Sequence, residues 1–426
     1  MPCARRSAGI LRWPLMRVLS SNEAESERLQ HAAEGEATVR TQPLLRPKMP
    51  ELDSIRGIAI LAVLFYHGFF WQTNLSTLTG STRLFISAMW IGRLGVNLFF
   101  VLSGFLITGL LLDSRSNPDY YRRFYIRRAL RILPAYYAIL FTLAATRPHI
   151  VAFLLLSGVY LSNLTPLFGV AISYPVLWSL AVEEHFYLLW PSVVRHVTLR
   201  WLALLSSIVI VVTPVARLVS FWGGHADGFI SYVCNDYTWN ASDGLACGAL
   251  LAILIRALKP NPVAVLRYAG AAIFGAVLLW LVGVPFGILT RQRAFGAALQ
   301  VTPWNIAFAG LLGVFLVAGT SSWKFLVTPR SLCFFGEISY GLYLVHVLVF
   351  DAYDGLTGRY FPALKHGSVF GGLCLRFFCA ASIATLLAYA SRRWFENPFL
   401  RLKDRLFRAA DSSEKSPGLD RAFSQA

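Results

Sequence analysis

The sequence predicts an all-α, polytopic integral membrane bundle of about ten transmembrane helices, with one further segment that re-enters without crossing. Three observations carry that reading. Of 426 residues, 56% are hydrophobic and only 14% charged, with a mean hydropathy of +0.55; water-soluble domains carry about a quarter charged residues. Apolar stretches of about 20 residues, the length that crosses the hydrocarbon core, recur along the chain. The 39 Lys and Arg outnumber the 22 Asp and Glu, for a net charge of +17, and they gather between alternate stretches. That distribution is the mark of membrane topology rather than of nucleic-acid binding.

Residues 1–49 mix Arg, Glu, Ser and Ala, and Arg12, Pro14 and Arg17 interrupt the one apolar segment, so no signal-peptide core is expected. A disordered cytoplasmic tail is expected there. Five candidate spans lie near 54–72, 95–113, 129–145, 178–196 and 201–219. Five more lie near 241–257, 266–285, 303–320, 335–352 and 369–391. The run near 150–169 is broken by Gly158, Asn163, Pro166 and Gly169, which fits a re-entrant segment.

Charge orients these spans. Arg115, Arg122, Arg123, Arg127, Arg128 and Arg131 stand between the second and third spans, the densest basic cluster in the chain, and place that loop in the cytoplasm. Arg392, Arg393, Arg401, Lys403, Arg405 and Arg408 place the C-terminal tail on the same side. With both termini inside, the number of crossings is even. The pairs Arg195/Arg200 and Lys324/Arg330 then fall inside, and 220–240, which holds Asp227 and Asp236 but no Lys or Arg, falls outside. The expected organisation is a tail over 1–49, a transmembrane domain over 50–400 and a basic tail over 401–426, in the plasma membrane, with no internal repeat and no soluble domain at either end. Cys3, Cys234, Cys247, Cys333, Cys374 and Cys379 are scattered singly, without metal-ligand or disulfide spacing, so neither a metal nor a disulfide framework is expected.

Ionisable groups within spans cost about 2.5–3.5 kcal/mol each at a helix centre and mark candidate sites. Arg56 and His67 lie eleven positions apart on the first span. At helical geometry that is three turns plus about 20°, so both project from one face, roughly 16 Å apart in rise. A positive-inside anchor accounts for Arg56 taken alone, and a neutral imidazole bonded to a neighbouring helix is the structural alternative for His67. In the second span, Gly95, Ser103, Gly104, Thr108 and Gly109 suit close helix approach, or the passage of a thin ligand arm. Arg128 and Arg131 share a helix face. Topology and anionic headgroups explain most of their cluster, yet guanidinium forks also suit a phosphorylated ligand. Glu183 and Glu184 point about 100° apart on their helix, so at least one faces protein or a wet cavity. Pairing with an arginine and contact with substrate both fit them. Tyr343 and His346, three positions apart, fit a satisfied helix-packing histidine.

In order along the chain, these segments resemble the membrane acyltransferase-3 family of polytopic O-acyltransferases. The resemblance rests on Leu52–Gly57 with the spacing from Arg56 to His67, on Gly95–Thr108, on Phe124–Tyr137 (FYIRRALRILPAYY) and on Leu177–Trp190 (LWSLAVEEHFYLLW). Ser339–His346 and the closing Glu396-Asn397-Pro398 complete it, so that it covers roughly 50–400. Ser54 stands where the family often has Gly, and His185 where it often has Gln; both bear on substrate choice.

The resemblance implies transfer of an acyl group, commonly acetyl, from acyl-CoA to a hydroxyl, mostly of a carbohydrate such as a surface polysaccharide or glycolipid. No permanently bound cofactor is implied. It also implies that Arg56 and His67 are the catalytic pair. Arg128 and Arg131, with Arg56, would meet the coenzyme's phosphates, and the thioester arm would reach toward His67. A neutral His67 would remove the acceptor's proton or carry the acyl group itself. Glu183 or Glu184 would orient an imidazole, bind sugar hydroxyls or pair with an arginine. Two rival classes are a transporter or flippase of a glycolipid or acyl carrier, and a ligase using lipid-linked sugar. Turnover of acyl-CoA separates them from the acyltransferase.

Overall fold

The computed structural model describes residues 44–46, 48–71, 73–223, 236–286, 293–360, 369–402 and 406. The chain divides into two units, 1–46 and 47–426, and every helix below belongs to the second. Nearly all of both expected tails, most of 220–240, and Cys3 and Cys234 lie outside the described residues.

Among the described residues there are helices and no strands. The first, α1 (Pro50–Phe65), opens with Pro in its first turn and with Glu51 and Asp53 against its positive end. It runs on into a π-turn, Tyr66–Phe70, in which the Trp71 N–H donates to the Tyr66 carbonyl at 3.0 Å. Next come α2 (Gly80–Met89), α3 (Gly95–Asp113) and α4 (Tyr120–Thr146). The eight-residue α5 (Val151–Gly158) rises only about 12 Å and cannot cross. Tyr136 and Tyr137 of α4 donate to the Ser157 and Gly158 carbonyls and hang it from that helix. Left-handed backbone at His149, Tyr160 and Gly169 turns the chain around it, as expected of a re-entrant segment.

The remaining elements are α6 (Leu177–His196), α7 (Leu199–Gly223), α8 (Thr238–Leu258), α9 (Pro262–Gly283), α10 (Ala294–Leu299), α11 (Thr302–Ala318), α12 (Lys324–Val327), α13 (Arg330–Tyr360) and α14 (Val369–Ala390). A second π-turn, Ser391–Glu396, follows. Among the described residues nine helical segments are long and apolar enough to cross a membrane. Of the ten expected spans, α6 is the one not apolar enough by itself. Its 20 residues rise about 30 Å, enough to cross, but it carries Glu183, Glu184 and His185 and packs against α3 and α8.

In lipid, helices associate through close packing rather than the hydrophobic effect. Here α1 lies on α13 and α3 on α8 with glycines on both sides. A Cβ at Gly57 would overlap the Leu332 carbonyl, and one at Gly336 the Asp53 carbonyl. Gly104 meets Leu245 and Gly248 meets Val101 in the same way. The space at Gly104 is therefore filled by a helix, not by a ligand arm. A buried ion pair that no sequence expectation named ties α7 to α8. Arg217 donates to Asp243 at 2.6 Å, and Thr302 of α11 donates to the other carboxylate oxygen at 2.6 Å. The two charged side chains are 3% and 0% exposed.

Candidate active site

A cavity of about 1280 Å3 runs into the bundle between α1, α3, α4, α6 and α13. Ligand pockets commonly span about 300–1,000 Å3, so this one suits something larger than a simple metabolite. Pro50 and Arg330, the first residues of α1 and α13, line one end of it, and Arg401, beyond the second π-turn, also contributes; we take this arginine-bearing end as the mouth. Tyr343 lines it farther along α13. Thirteen residues of α13 separate Arg330 from Tyr343, about 20 Å of rise.

The lining is cationic. Seven arginines contribute against four carboxylates, Asp53, Glu183, Glu184 and Glu337. Arg128 stacks 4.1 Å over the Tyr187 ring, and among the described residues neither it nor Arg131 forms an ion pair. The electrostatic neighbours of Arg131 include Arg56, Arg128 and Arg392, a gathering of like charge. Arg56 is paired with Asp53 at 2.5 Å, one turn back on α1. Arg392, on the second π-turn, lies 3.6 Å from Glu396, the acid of the Glu-Asn-Pro segment. The structure thus brings Arg56, Arg128 and Arg131 to one wall. It adds Arg127, Arg330, Arg392 and Arg401, which the sequence marks only as topology-setting charges.

Glu183 and Glu184 both line the cavity. Glu183 accepts from Ser103 at 2.8 Å and from Tyr187 at 3.2 Å, so α3 and α6 are joined across it. Glu184 faces the cavity with no hydrogen bond among the described residues. His185 turns elsewhere, its Nδ1 lying 2.7 Å from the Thr238 hydroxyl.

His67 is not among the residues that line the cavity, although it is partly exposed. It sits on the π-turn that ends α1, beside fully buried His346 of α13, with the two rings 4.8 Å apart. Between cavity and histidines stands Tyr343. Its hydroxyl and that of Ser179 share a 2.6 Å hydrogen bond, and its ring centroid lies 5.7 Å from that of His346. Arg56 and His67 are therefore kept apart: one on the cavity wall, the other beyond its floor. Tyr343, Ser179, Ser103 and Tyr187 are contributors that sequence reasoning did not single out as site residues, Tyr343 having been noted only as a packing partner of His346.

Comparison with known proteins agrees with this architecture. Residues 49–393 match a family described as an acyltransferase domain. Peptidoglycan O-acetyltransferase OatA of Listeria monocytogenes is 28% identical over 342 residues, 72% of this chain and 50% of that protein. Putative peptidoglycan O-acetyltransferase YrhL of Bacillus subtilis is 35% identical over 167 residues, 34% of this chain and 23% of that one. Putative O-acetyltransferase SAS0844 of Staphylococcus aureus is 26% identical over 389 residues, 82% of this chain and 57% of that one. The matches span about half the length of the first and third of these relatives and about a quarter of the second. No solved structure matches it.

Proposed function

Because the chain belongs to the acyltransferase-3 family, we propose that it is a membrane O-acyltransferase that moves an acetyl group from acetyl-CoA to a carbohydrate hydroxyl. The observation that carries this reading is the pair Arg128 and Arg131, free of ion pairs on the wall of a deep cavity that leads toward two histidines. Guanidinium groups without carboxylate partners are ready donors for phosphate, and their planar forks bind it bidentately. The coenzyme's phosphates would rest at the arginine-rich end, with Arg56 and Arg392 adding charge. The narrow pantetheine arm would follow the cavity inward. Positive charge concentrates at the mouth, so that end faces the cytoplasm on the positive-inside rule, in keeping with a cytosolic donor.

In the reaction the acceptor oxygen attacks the thioester carbonyl as its proton passes to His67; the carbon–sulfur bond then breaks, and His67 returns the proton to the departing sulfur, releasing CoA as its thiol. The alternative is that His67 takes the acyl group first and then yields it to the hydroxyl. Either route requires the thioester to pass the contact between Tyr343 and Ser179. Both glutamates line the cavity; Glu183 holds α3 to α6 through Ser103, which leaves Glu184 as the carboxylate we assign to substrate contact. The relatives' names speak of peptidoglycan, and a surface carbohydrate of that kind is the acceptor we favour.

The test is turnover by purified protein. His67→Ala should lower thiol release from acetyl-CoA in the presence of acceptor by about 10²–10⁴-fold while leaving insertion and folding intact. Near-normal turnover would remove His67 from the chemistry. The acceptor is checked by mass spectrometry of surface glycans with and without the gene, where an O-acetyl substituent should be lost.

A further inference from the structure

The two facing histidines determine each other's protonation. In His346, Nδ1 lies 2.8 Å from the Tyr343 carbonyl and 3.1 Å from the Leu342 carbonyl. A carbonyl oxygen only accepts, so the proton of His346 is on Nδ1 and its Nε2 carries the lone pair. That Nε2 lies 3.3 Å from Nδ1 of His67. The same Nδ1 of His67 lies 3.0 Å from the Val63 carbonyl. Both neighbours of this nitrogen are acceptors, so it bears the proton, shared between them. The remaining nitrogen of His67, Nε2, is then bare. Protonating His346 a second time would set two N–H groups against each other.

We propose that His346 is a positioning residue that holds His67 in the Nδ1–H tautomer and so leaves Nε2 as its one basic nitrogen. The tautomer of an imidazole is set by what the opposite nitrogen bonds, and free histidine favours the other form. The backbone under His67 is held as well. Its carbonyl and that of Gly68 lie in the last turn of the helix, where carbonyls commonly need partners from outside it. Arg376 of α14 donates to them at 3.3 and 2.6 Å. Arg376 is itself gripped by both oxygens of Asp354, at 2.7 and 2.8 Å. Ring and backbone of His67 are thus fixed from α13 and α14 together. The catalytic meaning of this arrangement rests on His67 being the reacting group; the tautomer does not.

Solid-state NMR of full-length protein labelled with 15N-histidine reads the tautomer without reference to turnover. The His67 signals, identified by their loss in His67→Asn, should show a protonated Nδ1 and a bare Nε2. His346→Gln places an amide oxygen where Nε2 was and should keep both tautomer and activity. His346→Leu keeps the bulk, removes the acceptor and should move His67 toward the Nε2–H form, with kcat lowered at least ~10-fold and KM for acetyl-CoA little changed. A wild-type His67 protonated on Nε2 would overturn the proposal, as would a Leu variant that keeps both tautomer and kcat, or a Gln variant as impaired as Leu. If His67→Ala stays active while the tautomer is as stated, the functional reading fails and the tautomer assignment stands.

Discussion

An arginine that forms no ion pair in a membrane protein has a use for its charge, since the group is costly to place there. Arg128 and Arg131 are in that position, with like charges as neighbours. Replacing either with Ala should weaken acetyl-CoA binding. A charge-assisted hydrogen bond contributes about 1.5–3 kcal/mol, so KM for the donor should rise roughly 10- to 100-fold. The turnover number should change less, because a phosphate contact is made alike in the ground and transition states; steady-state kinetics over a range of acetyl-CoA checks both. These arginines, and Glu183 and Glu184, are legible in the sequence for one reason: charge is out of place in an apolar run. The residues that were not legible are neutral. Nothing in the sequence tells Ser179 from any other small residue, and only the fold puts its hydroxyl against that of Tyr343.

At the scale of helices, the ties between α7, α8 and α11 are as polar as the cavity. Arg217 and Asp243 each sit near the end of an apolar run, where sequence reads them as boundary charges; only the antiparallel return of the chain pairs them. Removing one partner strands the other. Arg217→Leu should therefore cost about 3–5 kcal/mol of stability, and the double substitution Arg217→Leu with Asp243→Leu should recover most of it. Thermal unfolding in detergent reads both. The spans themselves were largely legible, because crossing length is set by the bilayer. α6 shows where that reasoning stops. Its polar residues serve a cavity, so its hydropathy understates its role. The π-turn at Tyr66–Phe70 had no sequence signal either, although such turns gather at functional sites.

For the whole molecule, pH enters through the loop that leads into α8. Burial pushes the Asp236 carboxyl up to about 7, against the opposing pull of Arg93. A carboxyl raised in the folded state stabilises the fold fully below its free value of 3.8, and loses that contribution as pH climbs through about 7. The melting temperature should accordingly fall between pH 5 and 8 by more in the wild type than in Asp236→Asn, as a pH series of melting curves would show. The overall architecture was accessible from composition and charge. The relation of cavity to histidine was not, because it depends on where helices from distant parts of the chain meet.

The contact between Tyr343 and Ser179 also has an electrical side. Arg330 and Tyr343, both on the cavity lining, lie about 20 Å apart along α13, against a hydrocarbon layer of about 30 Å. Where an open cavity carries solution at the potential of one side, the transmembrane voltage drops across the thin remaining layer, here the floor that this hydroxyl pair closes. A neutral acetyl group crosses such a layer without electrical work. A proton crossing with it would gain or lose about 2.3 kcal/mol per 100 mV. A floor closed by this hydroxyl pair would therefore keep the membrane's voltage intact beside a cavity open to one side.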